Sequence, residues 1–242
     1  RQAEAWLARL LELNPVAATQ LGEHRWDDQL GDHTAEALES EHQELLEALA
    51  QLEALDADAF SSEAQIDHTL VVRILQSFIR EYEEVESYRR NPGAYIDEAM
   101  GGVFLLILKD FAPLPERLHS ALGRARAVPR LLEEGRANIV PEEAPPVWIK
   151  VAIEQARQAP ALFAGLLPGL AAQAAPELQE DLAEAGQAAA EAIRAYVAFL
   201  EDDVLPEAAG DFAVGESLFN EKLRQEHLVP YARDTEARTL EL

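Results

Sequence analysis

The sequence predicts an all-α protein, and three observations carry that prediction. Apolar residues recur three and four apart along most of the 242-residue chain, the period of a helix with one buried face. No run of four to eight alternating β-branched residues interrupts the pattern, so no strand is predicted. Prolines and small polar residues stand where helices would begin, and glycines where they would stop. The segment lengths follow no fixed period, which argues against a solenoid of repeats. The expected architecture is an irregular bundle of about nine to ten helices around a central apolar helix at residues 92–109. A chain this long buries a substantial core, and residues 1–242 read as a single helical domain. Three prolines within residues 138–146 mark a sub-boundary.

Residues 1–13 place Ala5, Leu7, Leu10 and Leu11 at helical spacing, with Trp6 beside them. Asn14 reads as the N-cap of a short helix that begins at Pro15 and stops at Gly22. Residues 23–33 form a polar loop around Trp26, and Thr34 caps a third helix with the stripe Leu38, Leu45, Leu49 and Leu52. A long helix from Ser61 or Ser62 carries an apolar face of Ile66, Leu70, Ile74, Phe78, Tyr82 and Val85. It ends before Asn91-Pro92, because proline disfavours helical geometry in the residue before it.

From Ala99 to Leu108 every residue is apolar or glycine. Such a segment is expected at the centre, with helices laid over all its faces. Gly101 and Gly102 inside it cost about 1 kcal/mol each relative to alanine, which suggests a backbone passing close by. A helix opened by Leu114-Pro115-Glu116 runs towards Arg136, with a kink expected at Pro129. A helix over 147–158 carries Trp148, and Pro160 and Pro168 split the next segment into short pieces. A long alanine-rich helix runs from Pro176 to Leu205, another from Val214 to Leu228, and a last short one is expected within 231–242.

Composition excludes several functions. The 45 acidic against 20 basic residues leave a net charge of −25. Nucleic-acid affinity comes mainly from Lys and Arg neutralising phosphates, so neither nucleic acid nor an anionic membrane is an expected partner. The chain has no cysteine, hence no disulfide, thiolate zinc site, iron–sulfur cluster or cysteine nucleophile. Its longest apolar run is about half the ~20 residues that a membrane span requires. No signal peptide is visible, although the chain begins at Arg1 rather than Met. The expected location is the cytoplasm, with a removed signal peptide as the alternative.

No catalytic or metal-ligating residue is assigned from these patterns. The six histidines include no His-Glu-x-x-His motif. Two Glu-x-x-His pairs, Glu39/His42 and Glu116/His119, match part of the recipe for a di-metal carboxylate bundle. A chain with 32 glutamates makes such pairs readily by chance. Gly-x-Ser-x-Gly, Walker and dinucleotide glycine motifs are all missing. Asp110 and Arg117 flank the Pro113 turn at the end of the most apolar element, where a polar pair is costly unless partnered. They read either as a salt bridge pinning the turn or as one wall of a cleft with Tyr95 and Trp148.

Three stretches carry a family resemblance. They are Leu13-Asn14-Pro15 through Gly22, then Asn91-Pro92 through Gly101-Gly102 to Asp110-Phe111-Ala112-Pro113, then Pro145-Pro146-Val147-Trp148. Asp211-Phe212-Ala213-Val214-Gly215 and Lys222-Leu223-Arg224 follow in the same order. Together they resemble the bacterial family catalogued as domain of unknown function 885. The resemblance implies a largely helical, metallopeptidase-like hydrolase. Longer members carry their metal segment, a His-Glu followed by Pro-Gly-His-His, in a C-terminal half, and zinc is implied for those full-length proteins. Nothing here matches that segment, so no cofactor is expected in this chain. It reads as a truncated N-terminal helical half, inactive alone, covering the metal-bearing half and walling a channel for a peptide substrate. An exposed apolar face is then expected, where the other half packs or copies self-associate. A non-catalytic helical scaffold is the alternative.

Overall fold

The computed structural model describes residues 2–228, and the helix expected within 231–242 lies outside them. Among the described residues every regular element is helical. The α-helices are α1 (Gln2–Leu13), α2 (Pro15–Leu21), α3 (Ala35–Glu53), α4 (Ser62–Arg80), α5 (Ser87–Arg90) and α6 (Pro92–Leu108). They continue with α7 (Leu114–Asn138), α8 (Pro146–Ala156), α9 (Leu167–Ala174), α10 (Gln179–Phe199) and α11 (Glu216–Gln225). Wide π-type turns extend α4 over 81–85 and α10 over 200–204, and a third spans 161–166 before α9. None of these helices is long and apolar enough to cross a membrane.

The helix boundaries follow local chemistry. Thr34 Oγ1 accepts the Ala37 N–H at 3.2 Å, and Ser61 Oγ accepts the Ala64 N–H at 3.3 Å. Asn91 does the same for Gly93 at 3.1 Å, with Pro92 in the first helical position. Gly22 ends α2 at φ +91° and returns its N–H to the Ala18 and Thr19 carbonyls. Asn14 departs from expectation: its side-chain amide donates to Leu10 O at 3.0 Å, closing α1 rather than capping α2.

The chain divides into two compact units. The first comprises residues up to 7, 39–87 and from 211 onward. Its α3 buries Leu45, Ala48 and Leu52, while α4 buries Leu75 and Ile79. Arg80, also buried, reaches Glu221 at 3.0 Å and Glu226 at 3.1 Å. The apolar face expected from Ile66 to Val85 is buried only at its far end, at Val85, with Tyr82 half-buried. Ile66 is 61% exposed, and Leu70, Ile74 and Phe78 are exposed beside it. In its second half α4 carries two adjacent apolar stripes, and the fold buries Leu75 and Ile79, each next in sequence to an exposed member of the other stripe.

The second unit comprises residues 8–38 and 88–210. Helix α7 packs against α6, α9 and α10, and α6 packs against α2, α7 and α8. Ile96, Val103 and Leu106 of α6 meet Leu118, Leu131 and Leu132 of α7 in one core with Phe163, Ile193 and Tyr196. Helix α6 is not covered on every side, since Phe104 is 46% and Leu108 65% exposed. Its two glycines also differ. A Cβ on Gly102 would stand 2.9 Å from Val16 Cγ2 and 3.1 Å from Leu30 Cδ2, whereas one on Gly101 meets nothing within 4 Å. Side chains, not a backbone, make the close approach at Gly102.

Residues 138–146 lie within this unit, with Ile139 and Ala144 buried. Val140 N–H bonds Arg89 O at 2.9 Å, and Gly210 N–H bonds Ala144 O at 3.2 Å.

Candidate functional site

Of the four residues expected to line a cleft, the structure joins Asp110 to Arg117. Arg117 is buried in the first turn of α7 and acts on the carbonyl end of α6. Its Nη1 donates to Leu106 O, Ile107 O and Lys109 O at 3.1, 3.0 and 2.7 Å. Its Nε donates to Ala112 O at 2.7 Å, and only Nη2 reaches Asp110, at 3.1 Å. A guanidinium there satisfies orphan carbonyls and complements the negative end of the helix dipole. The Asp110 side chain is 92% exposed. Tyr95 lies three turns earlier on α6, roughly 16 Å along the axis from Leu106. Its hydroxyl donates to Tyr88 O at 2.6 Å and accepts from Asn138 Nδ2 at 3.0 Å. Burial pushes that phenol up to about 12. Trp148 sits half-buried in the first turn of α8.

The di-metal reading is not met. Glu39 and His42 belong to the first unit, Glu116 and His119 to the second. His42 Nε2 pairs with Glu83 at 2.9 Å and its ring stacks on Tyr82, whose hydroxyl donates to Glu39 at 3.1 Å. Among the described residues no three His, Asp or Glu side chains gather into a metal-ligand set.

A different constellation emerges in the second unit. A cleft of about 310 Å³ opens between Asn14, Val16 and Gln20 on one side and Asp97 and Glu98 of α6 on the other. Gly31 and His33 line it as well. Asp97 and Glu98 are the only charged residues in α6, and Glu98 fastens the loop between α2 and α3. Its Oε1 accepts the Gly31 N–H at 2.6 Å, and its Oε2 meets His33 Nε2 at 2.7 Å. Burial alone would raise the Glu98 carboxyl. The His33 hydrogen bond and charge, the Gly31 N–H and Arg124 overcome this and hold it below its usual range. Asp97 moves the other way: burial raises it, against a hydrogen bond from Gln155.

Helix α7 holds the same loop from its other side. Glu134 accepts the His33 N–H at 2.9 Å and an Arg130 N–H at 2.5 Å. Arg130 also donates to Gly31 O at 2.8 Å, and Asn138 donates to His33 O at 2.7 Å. Deeper in, the fully buried Arg124 donates to Gln29 O, Gly102 O, Pro15 O and Thr19 Oγ1, at 2.6 to 3.1 Å. Asp27 completes this group by accepting from Thr19 Oγ1 at 2.6 Å. Burial draws the Arg124 guanidinium down to about 10, although Asp27, Glu98 and Asp28 oppose the shift. It therefore stays charged at neutral pH. The arrangement presents a carboxylate–imidazole pair and a second carboxylate to a cleft, a set able to hold a proton or face a cationic group.

Sequence reasoning missed this site because His33 and Glu98 are 65 residues apart. The available signal was the pair Asp97-Glu98 inside an otherwise apolar helix, where charge requires a partner.

A protein of solved structure from Shewanella oneidensis, described as a candidate lipoprotein of unknown function, shares this fold. The TM-score is 0.82 at 24% identity, and the match covers 93% of this chain and 41% of that protein. This chain thus spans about two fifths of the length of that relative. No curated protein matches it. The profile of the bacterial proteins of unknown function DUF885 matches residues 15–235, a span that includes α6 and every cleft residue named above except Asn14, and the chain belongs to the DUF885 family.

Proposed function

We propose that this chain is the N-terminal helical part of a larger metallopeptidase-like protein, inactive alone, and that the exposed face of α4 is where the rest of that protein packs. The apolar stripe Ile66, Leu70, Ile74 and Phe78 is the observation that carries the reading. Four large apolar side chains in a row on one exposed helix face are a feature of binding surfaces. Among the described residues no buried side-chain N or O atom lacks a partner, so the bare stripe stands in an otherwise well-satisfied fold. The 41% coverage of the solved relative adds support, because most of that chain lies outside the shared fold.

The zinc that the resemblance implies does not fit the residues here. The described residues form no ligand set, and the sequence has no counterpart of the His-Glu and Pro-Gly-His-His segment. The contribution of this chain is therefore a wall. A peptide passing the cleft would meet Asp97 and Glu98, which favour basic side chains or a free amino end. The candidate-lipoprotein description of the relative favours a site outside the cytoplasm over the cytoplasmic expectation.

The test supplies the remaining part of a family-length chain in trans and measures mass by light scattering after size exclusion. The expected result is a one-to-one complex that Ile66→Gln with Ile74→Gln abolishes, and peptide hydrolysis only in the complex. A wild-type chain that stays monomeric, binds no apolar dye and forms no complex would overturn the reading. Self-association without a complex would assign the stripe to a second copy instead.

A further inference from the structure

We propose that the Gly31–His33 segment is a proton-responsive latch on the cleft, fastened to Glu98 when His33 is an imidazolium and loosened when His33 is neutral. The geometry carries the inference. One carboxylate, Glu98, holds both a backbone N–H of the segment and its one imidazole, at 2.6 and 2.7 Å. The same segment lines the cleft, so its attachment controls one wall. The packing leaves little slack, since a Cβ on Gly31 would stand 2.9 Å from His33 Nε2 and 3.1 Å from Glu98 Oε1.

An imidazole changes charge near neutral pH, unlike the groups that surround this one. From α6, Glu98 faces His33 directly and Tyr95 meets its ring edge at 5.4 Å. From α7, Glu134 accepts the His33 N–H, and Arg130 pairs with Glu134. Within its own loop, His33 lies beside Asp32, which accepts from Thr34 at 2.8 Å. Among these described residues, the carboxylates Glu98, Glu134, Asp32 and Asp97 outnumber the cations Arg130 and Arg124, the second of which acts on Glu98, so protonated His33 sits in a net attractive field. Deprotonation removes the charge assistance from the Glu98 bond, and such bonds are roughly twice as strong as neutral ones. Arg130 and Asn138 still hold the backbone of the segment, so the latch loosens without unfolding. Glu98 sets the acid limit: its carboxyl is held below its usual range, so the anion persists at the near-neutral pH where an imidazole ordinarily changes charge. Loosening uncovers Glu98 towards the cleft beside Asp97, and the cleft becomes both more open and more negative as pH rises. None of this depends on the peptidase-like reading.

The test is amide hydrogen exchange of residues 30–34 on the intact chain, corrected for intrinsic pH dependence, alongside NMR titration of the His33 ring. Opening should rise about threefold to tenfold from about pH 5.5 to about pH 8, with its midpoint at the His33 titration. Glu98→Gln keeps the shape and removes the charge, and should flatten the response. Should that variant not fold, His33→Gln should give pH-independent exchange at the loosened level. His24 is the other histidine of this loop, and His24→Gln should leave the response intact. Exchange that ignores the His33 titration, or a response that survives in His33→Gln, would overturn the latch.

Discussion

Helices α4 and α7 are treated in opposite ways. Helix α4 carries a long apolar stripe and leaves Ile66, Leu70, Ile74 and Phe78 in solvent. Helix α7 is interrupted by charged residues, yet it packs against α6, α9 and α10 in the second unit and buries Arg117, Arg124 and Glu134. Hydropathy alone predicts the reverse. The difference lies in what each side chain finds. Arg117 and Arg124 find backbone carbonyls at the start of α2, within and at the end of α6, in the turn after α6 and in the loop before α3, and a buried charge is tolerable when such partners surround it. The stripe of α4 is only partly covered among the described residues of its own unit: Leu70, Ile74 and Phe78 line one groove with Gln225, Glu226 and Leu228, and Ile66 and Leu70 line a second with Leu228. Burial in this protein follows available partners.

Substitutions can break this contrast. Arg124→Met should have the largest effect, about 3–5 kcal/mol of lost stability in denaturant titration, because it strands buried oxygens and Asp27. A loss under about 1 kcal/mol would mean that water replaces the guanidinium and that α7 is held through its apolar residues alone. Next come neighbours on α4: Leu75→Ala should cost about 2–5 kcal/mol, while Ile74→Ala, one residue away, should stay within about 0.5 kcal/mol. Equal losses would show that the stripe is already covered.

The glycines of α6 sharpen the comparison further. Gly102→Ala should destabilise by about 1–3 kcal/mol by pressing on Val16 and Leu30. Gly101→Ala should stabilise by up to about 1 kcal/mol, since its Cβ enters open space. The smallest effect is in acid. The Glu98 carboxyl is lower in the folded than in the unfolded chain, so its contribution is present above the ordinary value of 4.5 and is lost as pH falls below it. Glu98→Gln should reduce the acid sensitivity of stability as pH falls below 4.5.

Much of the fold was legible because its signals are local. Thr34, Ser61 and Asn91 cap where their side chains predict, and Gly22 stops α2. The face of α4 was not legible, because Ile74-Leu75 and Phe78-Ile79 offer two stripes and only tertiary contacts choose between them. The role of Asn14 was misread because its amide can serve the helix before it as well as the one after. The Arg117–Asp110 pair was visible from its place at a turn. Its main partners, backbone carbonyls, carry no sequence signature. The His33–Glu98 pair joins residues that only the folded topology brings together.

Arg124 also bears on the order of folding events. Its four acceptors lie 95, 22, 109 and 105 residues away along the chain. The guanidinium cannot leave water until α2, the loop after it and α6 have all assembled on α7. Contacts between such distant segments form late, after loop closure has been accomplished by other means. The buried charge is then a closing step that lies on the native side of the folding barrier. Changes at Arg124 should accelerate unfolding far more than they slow refolding, so this side chain governs how long the assembled cleft persists rather than how quickly it forms.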